Sequence, residues 1–328
     1  MSNYPPMIHD EFILHRYEGN PILTPRDFPN ADGVRNCGQA MLGDETILLV
    51  SIDHRHNMYR GIRGRTTHVA RSRDGIHFTI NPDPFLQTPR EEEDPLRHVL
   101  DGHPIDTRVT RIDDTYYIIH PGGGPWGCCA FLGRTHDFSR YEFIDVIALP
   151  DNRVPCLFPE KIRGKYYRID RPYRVGITAD THSMGNLWIA SSPDLIHWGH
   201  YRPLVRAGFV GWGSVKIGPT PPLRTDKGWL TILHGVTHSC AGARYHLGAI
   251  LLDLDDPTRL IGWTNSYILA PLIWYEQNGR VQNVVFACGA IADYDKDRIR
   301  VYYGGADTCI CLATGSLSEL VDACLRKL

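Results

Sequence analysis

Asp53, Asp106, Arg108, His120, Arg153, Arg171, His234, Tyr245 and Asp307 are the side chains of this sequence whose types could act together in a reaction. As a set they are lopsided. The carboxylates stand among arginines and a histidine, a mixture suited to holding a dianion, because the planar guanidinium fork matches phosphate and keeps its charge at any working pH. A hydrolytic sugar site would instead need two carboxylates flanking the bond, one as acid and one as base or nucleophile. No nucleotide loop accompanies the set. Gly122-Gly123-Gly124-Pro125 lacks the lysine and the following helix of a phosphate cradle, and reads as a mobile loop. His54 and His56 alternate as two ligands on a strand could, but no cysteine or second histidine cluster completes a site, so no catalytic metal is expected.

A repeat brings these residues together. Five units share a short turn, an apolar or alternating strand and a polar residue at the strand's far end. The turns and strand starts are Gly43-Asp44-Glu45-Thr46-Ile47, Asp114-Thr115-Tyr116-Tyr117, Gly164-Lys165-Tyr166-Tyr167, Lys227-Gly228-Trp229-Leu230 and Asp297-Arg298-Ile299-Arg300. Followed outward, the strands deliver Asp53, His120, Asp170 with Arg171, His234 and Asp307. A period of roughly 50 to 70 residues, each unit able to make a small antiparallel sheet, is the pattern of a propeller. A second template recurs after the next strand, in Ser72-Arg73-Asp74-Gly75, Thr135-His136-Asp137-Phe138, Ser192-Pro193-Asp194-Leu195 and, more weakly, Leu254-Asp255-Asp256-Pro257. Ser and Asp favour such turns because their side chains bond local backbone amides, which predicts outer-strand hairpins. The expected architecture is all-β: a five-bladed propeller, one catalytic domain over residues 1–328, whose inner strand ends turn distant side chains into one pocket.

Composition narrows the function. With 328 residues, 42% hydrophobic and 22% charged, the chain can bury an ample core. A net charge of −2 lacks the electrostatic footprint of a nucleic-acid binder, and no stretch is long and apolar enough to span a bilayer. Met1-Ser2-Asn3-Tyr4-Pro5-Pro6 lacks the basic and apolar segments of a secretory signal, so a cytoplasmic protein is expected. Nine scattered cysteines read as buried apolar thiols rather than a disulfide framework. The run Arg90-Glu91-Glu92-Glu93-Asp94 reads as a solvated loop between blades. Apolar residues at helical spacing behind a Ser cap, from Ser318 to Leu328, predict a short terminal helix. Such a helix would cover a blade or meet a second subunit of a homo-oligomer.

Several separated segments, in order, resemble glycoside hydrolase family 130, the β-mannoside phosphorylases. They include Gly19-Asn20-Pro21-Ile22-Leu23, the stretch from Asp106-Thr107-Arg108-Val109 to Tyr116-Tyr117, Leu157-Phe158-Pro159-Glu160, Arg171-Pro172, Lys216-Ile217-Gly218, His234-Gly235-Val236, Leu251-Leu252-Asp253-Leu254 and Tyr302-Tyr303-Gly304-Gly305-Ala306-Asp307. The resemblance implies a five-bladed propeller that cleaves β-mannosides by inverting phosphorolysis. It would need no cofactor, take inorganic phosphate as co-substrate and release α-mannose 1-phosphate. Asp106 falls in the place of the general acid. Arg153, Arg171 and His234, assisted by Tyr245, fall where phosphate is bound, and Asn36, Asp53, Lys216 and Asp307 fall where mannose is held. Arg108 joins the substrate-binding set from the pocket inventory, whereas His120 gains no role from the resemblance.

The segment Ile105-Asp106-Thr107-Arg108 departs from the family pattern, which has Glu or Tyr before the acid and Pro after it. Thr can take the extended backbone that Pro enforces, so the acid itself is retained. Three functions fit the residues. A phosphorylase acting on mannosyl-glucose, β-1,4-mannooligosaccharides or β-1,2-mannobiose requires the cations at Arg153, Arg171 and His234. A β-mannosidase of the same fold would use water and look to have lost those cations. A non-catalytic carbohydrate-binding propeller would need no acid.

Overall fold

The second strand of each repeat is apolar on both faces, and that decides the architecture. In Glu45–Tyr59 the side chains alternate across the sheet, so Ile47 and Leu49 pack against one neighbouring blade while Leu48, Val50 and Ile52 pack against the other. Only a strand with sheets on both sides satisfies such a sequence. A computed structural model of the chain, described for residues 6–8, 10–59, 62–86, 104–124, 126–173, 185–240 and 242–326, places five antiparallel sheets in a ring.

The first blade runs Ala31–Leu42, Glu45–Tyr59, Ile62–Ser72 and Thr79–Ile80. The second is Arg108–Ile112, Thr115–Gly124, Gly127–Thr135 and Glu142–Ala148, and the third Cys156–Leu157, Tyr166–Asp170, Leu187–Ser192 and Gly199–Val205. The fourth is Lys216–Pro219, Trp229–Ser239, Gly242–Leu252 and Leu260–Trp263. Val285–Ala287, Arg298–Gly305 and Cys309–Ser316 build the fifth. Each predicted strand start opens the second strand of a blade. The turns before these strands include left-handed backbone at Gly43, Asp113, Gly164 and Asp297, where Gly and Asp are tolerated.

One apolar cluster fills each gap between blades. Between the third and fourth, for example, Phe158, Ile169 and Leu187 meet Ile217, Trp229 and Ile250. The second predicted template also appears as expected: Asp74 Oδ1 accepts from the amides of Ile76 and His77 at 2.8 Å each, and Asp194 Oδ1 from Ile196 and His197 at 3.0 and 2.8 Å. In the weaker fourth copy Asp253 takes this part, accepting from the amides of Asp255 and Asp256.

The N-terminus closes the ring. His15–Tyr17 pairs with Cys309–Ser316, so the fifth blade is built from both ends of the chain. Arg16 is fully buried there; its Nε meets Glu276 Oε1 at 2.8 Å and its Nη2 meets Oε2 at 2.9 Å, while Tyr303 Oη donates to Oε1 at 2.7 Å. The terminal helix is Leu317–Leu325, capped by Ser316, whose hydroxyl accepts from Glu319 N at 3.0 Å. Leu317, Leu320, Val321 and Cys324 bury its apolar face in the cluster between the fourth and fifth blades.

The glycine run is not a loop. Gly122 and Gly123 continue a strand, opposite Cys129 and Cys128, and a side chain at Gly122 would collide with the Phe131 ring, 1.9 Å from its Cε2. Pro125 and the acidic run 90–94 lie outside the described residues. All the cysteines except Cys240 are buried and none is paired. Among the described residues no helix is long and apolar enough to cross a membrane.

Candidate active site

Asn36 lies in the first strand of the first blade, where the register slips between Arg35 and Gly38. Such a bulge re-aims a side chain. Asn36 has a φ of 46°, and its Nδ2 donates to Asp106 Oδ1 at 2.8 Å. Asp106 and Asp307 are left-handed too, at 55° and 52°. Asn and Asp are the non-glycine residues that best tolerate this backbone, and its use at three candidate site residues is characteristic of functional positions. Thr107, which follows Asp106, is fully buried and does what proline could not. Its hydroxyl accepts from Gly38 N at 3.0 Å and donates to Leu49 O at 3.3 Å, tying the acid's segment to the first blade.

A carboxylate network lies beside the acid. Arg35 donates through Nε to Asp53 Oδ2 and through Nη1 to Asp307 Oδ2, each at 2.6 Å. Arg65 also pairs with Asp53, and Arg280 Nε is 3.5 Å from its Oδ2. Burial raises the Asp53 carboxyl, but Arg35, Arg65 and Arg280 outweigh it and hold the group below the usual range. Asp307 moves the other way: burial, with Asp106 and Asp53 nearby, raises it despite Arg35. Asp53 is thus spent on arginines, while Asp307 is the more readily protonated of the two.

Cations gather near Asp106. Arg171 follows the second strand of the third blade and is 3% exposed; its amide donates to Asn152 Oδ1 at 3.2 Å. Its Nε and Nη1 are buried and have no hydrogen-bond partner among the described residues. Burial and the charges of Arg153 and Arg108 push its guanidinium down to about 10. Arg153 is exposed. Lys216 pairs in register with Val236, and Val236 with Tyr245, so Lys216 and Tyr245 share one face and the ammonium lies 5.0 Å from the Tyr245 ring. Burial, Arg171 and Arg153 push that ammonium down to about 8. Tyr245 is pushed up to about 12 by burial and Asp307.

His234 faces Gly218 across the strand pair, and an added Cβ there would sit 2.2 Å from its Cε1. The ring stacks with Tyr245 at 6.2 Å and packs on Phe286 at 4.4 Å, and Nδ1 is buried without a partner among the described residues. Burial, then Arg171, Arg108 and Lys216, hold it well below its ordinary pKa. A neutral imidazole therefore stands among the cations.

The structure thus brings Asn36, Asp106, Arg153, Arg171, Lys216, His234, Tyr245 and Asp307 into one electrostatically connected cluster, with Asp53 at its edge. Two sequence candidates stand differently. Arg108 is buried, with Nε and Nη1 directed at Asp106 O, Pro219 O and Cys288 Sγ, and its Nη2 is buried without a partner among the described residues. His120 bonds Tyr141 Oη at 3.0 Å and Pro121 O at 3.2 Å, and burial pushes it down to about 4. Arg35 and Tyr173 went unnoticed in the sequence. Arg35 adjoins Asn36 on a first strand, while the repeat drew attention to second strands; Tyr173, two residues past Arg171, lies 5.4 Å from its Cζ and 5.5 Å from Lys216 Nζ. His54 Nε2 bonds Thr66 Oγ1 at 2.6 Å, and the side chain of His56 lies outside the described residues.

Fold and cluster together define a five-bladed propeller that sets one acid beside grouped cations. Residues 49–326 match the family model of glycoside hydrolase family 130, described as β-1,4-mannooligosaccharide phosphorylase, and the chain belongs to that family. It is 34% identical to β-1,4-mannooligosaccharide phosphorylase of Ruminococcus albus over 94% of this chain and 90% of the relative. It is 40% identical to β-1,2-mannobiose phosphorylase of Listeria innocua over 77% of this chain and 67% of the relative. The solved structure of a Listeria innocua β-1,2-mannobiose phosphorylase with β-1,2-mannobiose superposes with a TM-score of 0.81 at 32% identity, covering 95% of this chain and 99% of that one.

Proposed function

We propose that this protein is a β-mannoside phosphorylase in which Asp106 is the general acid and Arg153, Arg171, His234 and Tyr245 bind inorganic phosphate. One observation carries the reading: Arg171 is buried beside Arg153 and Lys216 with two guanidinium nitrogens unpartnered among the described residues, and no carboxylate compensates it there. Arg171 and Lys216, whose pKa values are lowered by burial and then by neighbouring cations, are stabilised when a dianion arrives. Asn36, Asp53, Lys216 and Asp307 hold the mannose unit. A phosphate oxygen attacks the anomeric carbon from the face opposite the departing sugar, the glycosidic C–O bond breaks, and Asp106 gives its proton to the leaving oxygen. The products are α-mannose 1-phosphate and a shortened sugar, and Asp106 then regains a proton from solvent. Asn36 occupies Oδ1, so Oδ2 carries the proton.

Family relatives act on β-1,4-mannooligosaccharides and β-1,2-mannobiose. The substrate here is a β-mannoside of one of those kinds or mannosyl-glucose. Incubation with β-mannosides in phosphate and in phosphate-free buffer tests this. Mannose 1-phosphate formed only with phosphate is expected. Free mannose at equal rates in both buffers would make the protein a β-mannosidase, and no cleavage of any β-mannoside would leave a sugar-binding propeller. Supplying α-mannose 1-phosphate with a panel of acceptor sugars then identifies the linkage.

A further inference from the structure

Arg108 is a buried cation that the proposed chemistry leaves without a task. Its side chain is 1% exposed, and no carboxylate lies within ion-pair distance of it among the described residues. Nη1 donates to the main-chain carbonyl of Asp106 and, at 3.1 Å, to Cys288 Sγ, while Nε reaches Pro219 O at 3.4 Å. Neither neighbouring thiol is a counter-ion. Burial pushes Cys156 up to about 12 and Cys288 well above the ordinary thiol range, so both stay neutral at physiological pH. No ion pair among the described residues neutralises the guanidinium, although the nearby charge of Asp106 favours its charged form, and in low dielectric its field reaches further than it would in water.

Two contacts direct that field and that rigidity. One is Asp106, whose left-handed backbone sets the direction of the acid and whose carbonyl Arg108 holds. The other is Phe286, 5.6 Å from Arg108 Cζ on one side and 4.4 Å from the His234 ring on the other. Arg108 also ranks among the charges that lower Arg171 and His234.

Given the phosphate reading of the Arg171 site, we propose that Arg108 is a positioning residue with two effects. It fixes the main chain of Asp106 so that the carboxyl faces the leaving oxygen, and it supplies, without touching the ligand, positive potential that favours a dianion beside Arg171 and Arg153.

Arg108→Lys and Arg108→Gln separate the effects. Lysine keeps the charge, but one ammonium cannot span Asp106 O and Pro219 O; glutamine keeps a donor and loses the charge. In Arg108→Gln the KM for phosphate should rise roughly tenfold or more, and phosphate binding without sugar should weaken in parallel. In Arg108→Lys it should stay within about threefold of the parent, while kcat falls roughly tenfold or more as the acid loses its orientation. Variants that match the parent in both constants would make Arg108 an ordinary buried arginine and overturn the proposal. Equal losses of both constants in both variants, or loss of cooperative unfolding in both, would assign it a purely structural role and overturn it as well. A parent enzyme that cleaves without phosphate defeats the phosphorylase reading; a phosphate-dependent parent with unaltered variants defeats this inference alone.

Discussion

Asp106 is held by Asn36 at one oxygen, and if it is the proposed general acid, Asp106→Asn removes the proton it would give while keeping the shape. Turnover should fall about 10²- to 10⁴-fold with folding unchanged, and near-normal turnover in the purified variant would move the acid elsewhere. Arg171→Ala should damage the use of phosphate. Loss of a charge-assisted clamp costs about 2 to 4 kcal/mol, or roughly 30- to 1000-fold in the phosphate-dependent rate. His234→Ala should do the same more mildly, because its neutral ring offers one hydrogen bond and no charge. Kinetics with phosphate and sugar varied separately check both, and losses confined to sugar affinity would remove these residues from the anion site. Lys216 adds a pH dependence. Its ammonium is pushed down to about 8, so the charged form dominates below that pH and is lost as the pH rises through it. The kcat/KM for the β-mannoside, which reports the unliganded enzyme, should therefore decline above about 8 and lose that limb in Lys216→Arg. A profile identical in both proteins would exclude Lys216 as the titrating group.

Strands aim these residues, and one strand pair aims His234. Lys216–Pro219 places Gly218 opposite His234, where the missing Cβ makes room for the ring. Gly218→Ala should push the imidazole away from the anion site without opening the blade, since both strands keep their ladder. A misplacement of about 1 Å costs up to about 100-fold, so a rise of roughly 10- to 100-fold in the KM for phosphate is expected, with the unfolding midpoint little altered. An unchanged KM would show that the ring needs no cradle. The bulge at Asn36 works in the same way. An unbroken ladder would keep the side chain in strict alternation, while the slipped register points it at Asp106.

The ring has to close before any of these ends converge. Closure depends on the short strand His15–Tyr17 and on Arg16, buried with Glu276 and Tyr303. Arg16→Met leaves the Glu276 carboxylate buried without its cation, and breaking such a pair costs about 3 to 5 kcal/mol. Chemical denaturation should show that loss, and a change under about 1 kcal/mol would mean that strand pairing alone closes the ring. The terminal helix stiffens the same seam, with its apolar face buried against the fourth and fifth blades.

The sequence by itself determined the blades, because strand alternation and Asp turns are local and recur with a period. All five second strands start where the turns predict, and the hairpin aspartates bond the amides that their spacing implies. It also nominated most of the cluster, since a polar residue ending an apolar strand stands out. Tertiary structure alone decided the rest. Arg35, which holds Asp53, also reaches Asp307 across 272 positions, a contact that no window of sequence contains. The glycines at 122 and 123 look like a loop until they pair with Cys129 and Cys128 and Phe131 lies against Gly122. Arg108 and Arg171 are the same residue type, yet Arg108 spends Nε and Nη1 on Pro219 O and Asp106 O and keeps only Nη2 unpartnered among the described residues, whereas Arg171 keeps both Nε and Nη1 unpartnered among cations. Burial and partner choice depend on how five blades meet at one axis, and local pattern carries no record of that meeting.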